Sequence, residues 1–111
     1  MKSIKAYIHR NRIADVISAL KGSVTWTAVG SGEHNLTAYM VKGSLLPLDQ
    51  GERSYSTDLG DEVVNEYKLE LNCADEHVDE LVKIIVAAGR TGQANSGWVY
   101  IVDIVSATPI F

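Results

Sequence analysis

Thr91-Gly92-Gln93-Ala94-Asn95-Ser96-Gly97 is the stretch whose residue types best suit binding chemistry. Its glycines and small side chains leave backbone N–H groups open, and consecutive amides of such a turn can form a nest for the oxygens of a phosphate. The same composition also suits a plain tight connection. Arg90, just before it, is a nearby cation that can serve the same anion or cap the preceding helix. Trp98, just after it, offers a flat face for stacking on a base or a large apolar body for the core.

His9, His34, Cys73 and His77 are potential metal ligands, and Cys73-Ala74-Asp75-Glu76-His77 sets a thiol and an imidazole four residues apart. A structural zinc site needs a second close pair, which the spacing lacks. No metal site is therefore expected, with His34 and His77 standing only as candidates; Glu33 and His34 together offer a place for an intersubunit ion. Catalysis has less to work with. There is no nucleophile elbow, no His-Glu-x-x-His pair and no Walker lysine, so the chain is expected not to be an enzyme. Asp103 reads as a hydrogen-bonded structural acid.

Alternating apolar residues Ile4, Ala6 and Ile8 predict a first strand over Ser3–Ile8. Ile13, Val16, Ile17 and Leu20 then fall on one helical face, with Asn11 as the expected N-cap and Gly22 as the stop. β-branched residues around Trp26 predict a second strand over Val24–Val29, which runs into Gly30-Ser31-Gly32. Residues 33–63 show no sustained period and carry Gly43, Pro47, Gly51 and Gly60, so most of this stretch is expected to be a long loop, with strand extensions at its ends. Leu45, Leu46 and Leu48 in it either fold back on the body or wait for a partner. Alternation at Tyr67, Leu69 and Leu71 predicts a third strand. Val78, Leu81, Val82 and Ile85 mark a second helix over Ala74–Ala88, with Asp75 and Glu76 suited to its first turn. Trp98–Ile104 is nearly continuous in apolar residues and predicts a last, central strand covered on both sides.

The order βαββαβ folds most simply as an α+β, ferredoxin-like sheet backed by two helices, in a single domain spanning residues 1–111. Two helices cover one face of such a sheet, so the other must be covered by further subunits in a closed cyclic oligomer. The 111 residues are 46% hydrophobic, enough for a core without staples, and the lone Cys73 excludes an internal disulfide. Residues 1–48 hold six Lys and Arg against two Asp and Glu, and residues 49–111 hold four against twelve, giving +4 and −8. That acidic balance argues against nucleic acid as a partner. With no leader, lipidation signal or apolar run near about 20 residues, a cytoplasmic protein that does not insert into a membrane is expected.

Three stretches carry a family resemblance: Met1–Ile8 with the helix at Ala14–Leu20, Thr25-Trp26-Thr27-Ala28-Val29 with the glycines that follow, and Lys68 through Gly97. Together they resemble the nitrogen-regulatory P-II signalling family over the whole chain apart from the long middle loop. The resemblance implies a homotrimer with no tightly bound cofactor. A small-molecule effector, an adenine nucleotide, would lie in clefts between subunits and set the shape of the long loop, which docks on a regulated protein such as a membrane transporter. It further implies that the phosphate loop is Gly92, Gln93, Ala94, Asn95, Ser96, Gly97 and Trp98, with Arg90 beside it, and that Thr25, Thr27, Gly30, Gly32 and Asn72 surround base and ribose. The family's loop ordinarily closes with a lysine where Trp98 stands, and its two terminal-phosphate arginines fall at Pro109 and Phe111. Three charge-assisted contacts, each worth about 1.5–3 kcal/mol, are thus absent, which favours ADP or AMP over ATP as effector. The alternative is a metal-responsive trimer of the divalent-cation-tolerance type on the same architecture.

Overall fold

The computed structural model describes residues 1–29 and 32–111. β1 (Lys2–His9), α1 (Ile13–Lys21) and α2 (Val24–Ala28) lead into β2 (Thr37–Gly43), β3 (Arg53–Ser56) and β4 (Asp61–Cys73); α3 (Val78–Gly89) and β5 (Trp98–Asp103) follow. The main sheet runs β2-β4-β1-β5, and the short β3 pairs with the start of β4. Every pairing is antiparallel. With β3 set aside, this is the interleaved order of two split βαβ halves, the ferredoxin-like arrangement in an α+β chain.

Alternation decides which face of the sheet is covered. Ile4, Ala6 and Ile8 of β1 stand opposite Leu71, Leu69 and Tyr67 of β4, and paired residues share a face. Onto that face α1 lays Val16 and Leu20, and α3 lays Leu81 and Ile85, all buried in one cluster with Cys73. Each such side chain taken fully out of water contributes about 1.5–3 kcal/mol. The two helices are also tied end to end: the Arg12 guanidinium donates to the Ala88 carbonyl from Nε at 3.0 Å and from NH2 at 2.8 Å, meeting an acceptor that the end of α3 leaves open.

Four expectations give way. Val24–Ala28 is a short helix instead of a strand, because Ser23 caps it by accepting from the Trp26 N–H at 3.2 Å. The Thr27 hydroxyl returns to the Ser23 and Val24 carbonyls, and such local bonds outweigh a β propensity that is only a preference for half-buried pleated surface. The second strand lies instead inside the stretch expected to be mostly loop, where β2 pairs along its length with β4. Asn11 does not cap α1; Arg12 holds that position without a side-chain capping bond, and the Asn11 N–H donates to His9 Nδ1 at 3.0 Å. Finally, β5 is an edge strand, paired only with β1, and most of its side chains are exposed. Asp103 is accordingly not buried: it pairs with Lys2 at the surface, and that hydrogen bond holds the Lys2 ammonium above its usual range.

Candidate functional site

The connection from α3 to β5 has no regular structure, and its shape comes from left-handed backbone at Gly92 (φ 89°) and Asn95 (φ 55°). Glycine adopts that region freely, and asparagine is among the few other residues that visit it. Gln93 N–H reaches the Thr91 hydroxyl at 3.4 Å. Among the described residues, the amides of Gly92, Ala94 and Asn95 meet no backbone acceptor, which is the condition for an anion nest. Beside the loop lies a cavity of about 360 Å³ whose lining includes Tyr7, Val82, Ile85, Arg90, Gly97 and Trp98, with Arg90 its sole cationic lining side chain. Arg90 also stands at the C-cap of α3. Trp98 is half exposed and lies nearly parallel to Tyr100, ring centroids 6.4 Å apart, so it is a surface aromatic and not part of the core.

Gln93 ties this loop to the long middle segment: its side-chain amide donates to the Pro47 carbonyl at 3.2 Å. The segment is held down at further points. Leu45 N–H donates to the Glu66 carboxylate at 3.2 Å, and Leu48 N–H to Glu52 at 3.2 Å. Glu52 in turn meets His9 Nε2 at 2.5 Å, with both side chains buried. Burial pushes the Glu66 carboxyl above its usual range, partly opposed by the Leu45 N–H. Gly43 is glycine for a reason of space: a Cβ there would lie 2.3 Å from the Glu66 carboxyl carbon. Leu45 is buried while Leu46 and Leu48 remain exposed, so one of the three leucines folds back on the body and two do not. Sequence reasoning missed this latch of His9, Glu52 and Glu66. The one legible signal was a glycine in what proves to be a strand, which often marks close approach of another group.

The other candidate residues gather elsewhere. Thr27 and Gly32 line a cavity of about 550 Å³ with Trp26, Asn35 and Leu36. The Thr25 hydroxyl donates to Glu80 on α3. Asn72 is locked by its backbone to His34, donating N–H to the His34 carbonyl at 2.7 Å and accepting from His34 Nδ1 at 3.0 Å. Gly30 lies outside the described residues. Asn72 stands opposite Ser3 in the sheet and Trp98 opposite Tyr7. The two groups are four residue steps apart along β1, about 13 Å at the rise of a strand. A single chain therefore does not bring its phosphate-loop and base-side candidates together. His34 and His77 line one cavity of about 440 Å³ with Glu33 and Asp75. Among the described residues no cluster of three potential ligands encloses an ion.

The open face of the sheet carries a further set of contacts. Lys68 pairs with Glu70 at 3.0 Å and lies 5.7 Å from the Tyr7 ring centre and 5.6 Å from that of Tyr39. No protein-family model matches the chain. Curated relatives do. A nitrogen regulatory protein P-II of Microchaete diplosiphon is 30% identical over 101 residues, covering 91% of this chain and 83% of that protein. Nitrogen regulatory protein P-II of Porphyra purpurea is 26% identical over 104 residues, covering 94% and 86%. The P-II protein of Cyanidium caldarium is 29% identical over 79 residues, covering 71% and 70%.

Proposed function

Since the chain belongs to the nitrogen regulatory protein P-II family, we propose that it is a nitrogen-regulatory signalling protein whose effector is an adenine nucleotide, ADP or AMP in preference to ATP. In this reading it regulates and does not catalyse. Three copies assemble, and the nucleotide occupies the cleft between the phosphate loop of one subunit and the base-side residues of its neighbour. The separation of those two groups along β1 supports an intersubunit cleft. Exposed Trp98, Tyr100 and Val102 on the uncovered sheet face supply apolar surface for assembly. The regulated partner is a cytoplasmic protein or the cytoplasmic side of a membrane transporter. No helix among the described residues is long and apolar enough to cross a membrane.

The observation that carries the mechanism is the hydrogen bond from Gln93 to Pro47. One end belongs to the loop that would bind phosphate and the other to the segment that would meet the partner. A ligand that draws the Gln93 amide to its own oxygens withdraws a tether from residues 44–52, and the exposed Leu46 and Leu48 move with them. Such a ligand shifts the segment only to the extent that it binds the released form more tightly.

The test is calorimetric titration with AMP, ADP and ATP, with and without magnesium, on the natural chain and on Arg90→Ala and Gln93→Ala. We expect binding of ADP or AMP at least tenfold tighter than ATP, weakened by Arg90→Ala. Hydrogen exchange at residues 44–52 is expected to quicken with nucleotide, and in Gln93→Ala without it. Silence for all three nucleotides overturns the effector; binding without any change in exchange overturns the mechanism.

A further inference from the structure

Two imidazole nitrogens of this chain, His34 Nε2 and His77 Nδ1, are buried and without a hydrogen-bond partner among the described residues. Both residues line the cavity of about 440 Å³ between the turn that precedes β2 and the start of α3. A buried polar atom without a partner is costly, and each case in a folded protein calls for an explanation.

His34 is held in one orientation. Its ring stacks on Trp26 with centroids 4.0 Å apart and planes 24° from parallel, its backbone carbonyl accepts from Asn72, and its side chain is buried. Its Nδ1 lies 3.0 Å from the Asn72 carbonyl oxygen. A carbonyl can only accept, so Nδ1 carries the proton, and it is the tautomer with its lone pair at Nε2 that this contact selects. An imidazole whose Nδ1–H is fixed by a backbone carbonyl is the usual outer arrangement of a metal-ligating histidine, because it sets both tautomer and ring direction. His77, in the turn Asp75–His77, lines the same cavity.

We propose that this cavity binds a divalent first-row transition cation through His34 Nε2 and His77 Nδ1. Imidazole nitrogen donors suit zinc, nickel or copper, whereas magnesium and calcium take oxygen ligands. Glu33, Asp75 and Glu76 line the same cavity and supply negative charge to offset the ion's. Asp75 is already paired with the amino group of Met1 at 2.9 Å, and among the described residues no carboxylate completes a group of three ligands with the two imidazoles. With two protein ligands the site is open, its remaining positions filled by water. Cys73 is not a ligand: it is packed in the core cluster at the end of β4, and burial pushes its thiol above the usual range. This site is separate from the proposed phosphate loop, so it stands or falls independently of nucleotide binding.

The test is zinc titration of the full chain, followed by calorimetry without nucleotide, on the natural protein, His77→Ala and His34→Phe, the last keeping a flat ring against Trp26. One ion per chain is expected, weakened at least tenfold by either substitution, since loss of even an outer-shell partner of a metal ligand costs about 10–100-fold. Far-UV circular dichroism checks that the variants fold; if His34→Phe does not, His77→Ala decides. Cobalt in place of zinc is expected to give visible bands without a thiolate charge-transfer band. Failure of the natural chain to take up zinc overturns the proposal and assigns the two nitrogens to ordered water. Equal binding by His77→Ala, or a thiolate band implicating Cys73, overturns it as well.

Discussion

Glu66 stands on the open face of β4, where a carboxylate would ordinarily be solvated, yet the folded-back middle segment buries it. Burial raises its pKa, so the native state keeps this proton to a higher pH than the unfolded chain does. Stability therefore falls as pH rises from the unfolded value through the native one, and stays lower above it. Glu66→Gln keeps an oxygen for the Leu45 N–H and removes the charge. We expect its melting temperature to exceed that of the natural protein at pH 7 and the gain to vanish by about pH 4, close to the ordinary carboxyl pKa. A loss of stability of equal size at both pH values would refute the account. Very little of this residue's role was legible beforehand, because its period along β4 marks Glu66 as solvent-facing and nothing local announces a segment returning from 21 residues earlier.

Among the elements, β5 is the one whose start depends on a single absent atom. A Cβ at Gly97 would come 2.6 Å from the Tyr7 carbonyl oxygen, and backbone cannot turn aside as a side chain can. Gly97→Ala must therefore displace the first residues of β5 from β1, at an expected cost of about 1–3 kcal/mol, as for other overpacked sites. Urea denaturation measures it, and an unchanged midpoint would show that the strand start yields freely. A bulky residue at 97 would consequently disturb fold and ligand loop together, which is why Arg90→Ala and Gln93→Ala are the better probes of binding. Elsewhere, α1, α3 and β1 were readable from periodicity since each buries one face. β2 was not, because it lies at the sheet edge with most of its residues exposed, and an exposed strand has no need to alternate.

For the whole molecule, one sheet face is roofed by two helices and the other is not. Trp98, Tyr100 and Val102 alternate along β5 onto the uncovered face, opposite Tyr7, Lys5 and Ser3. The proposed trimer would have about three times the 12.1 kDa mass of the chain, measurable by sedimentation equilibrium. Val102→Glu leaves the helix-side core untouched and is expected to shift the mass toward that of one chain. A natural protein that sediments as a single chain would refute the assembly and with it the intersubunit cleft.

Composition and periodicity by themselves determined the class of fold, β1, α1 and α3 with the core residues they carry, and the glycine-rich turn before β5. All of these follow from patterns within a dozen neighbouring residues, which share one helix or strand and must agree on which side meets water. Only the tertiary structure decided that Val24–Ala28 is a capped helix, that β5 lies at an edge, that Glu66, Glu52 and His9 hold down the middle segment, and that His34 and His77 line one cavity. These depend on which distant residues meet. A hydroxyl at Ser23 can cap or be solvated, and an apolar strand can be covered by its own chain or by another; the sequence is the same in each case.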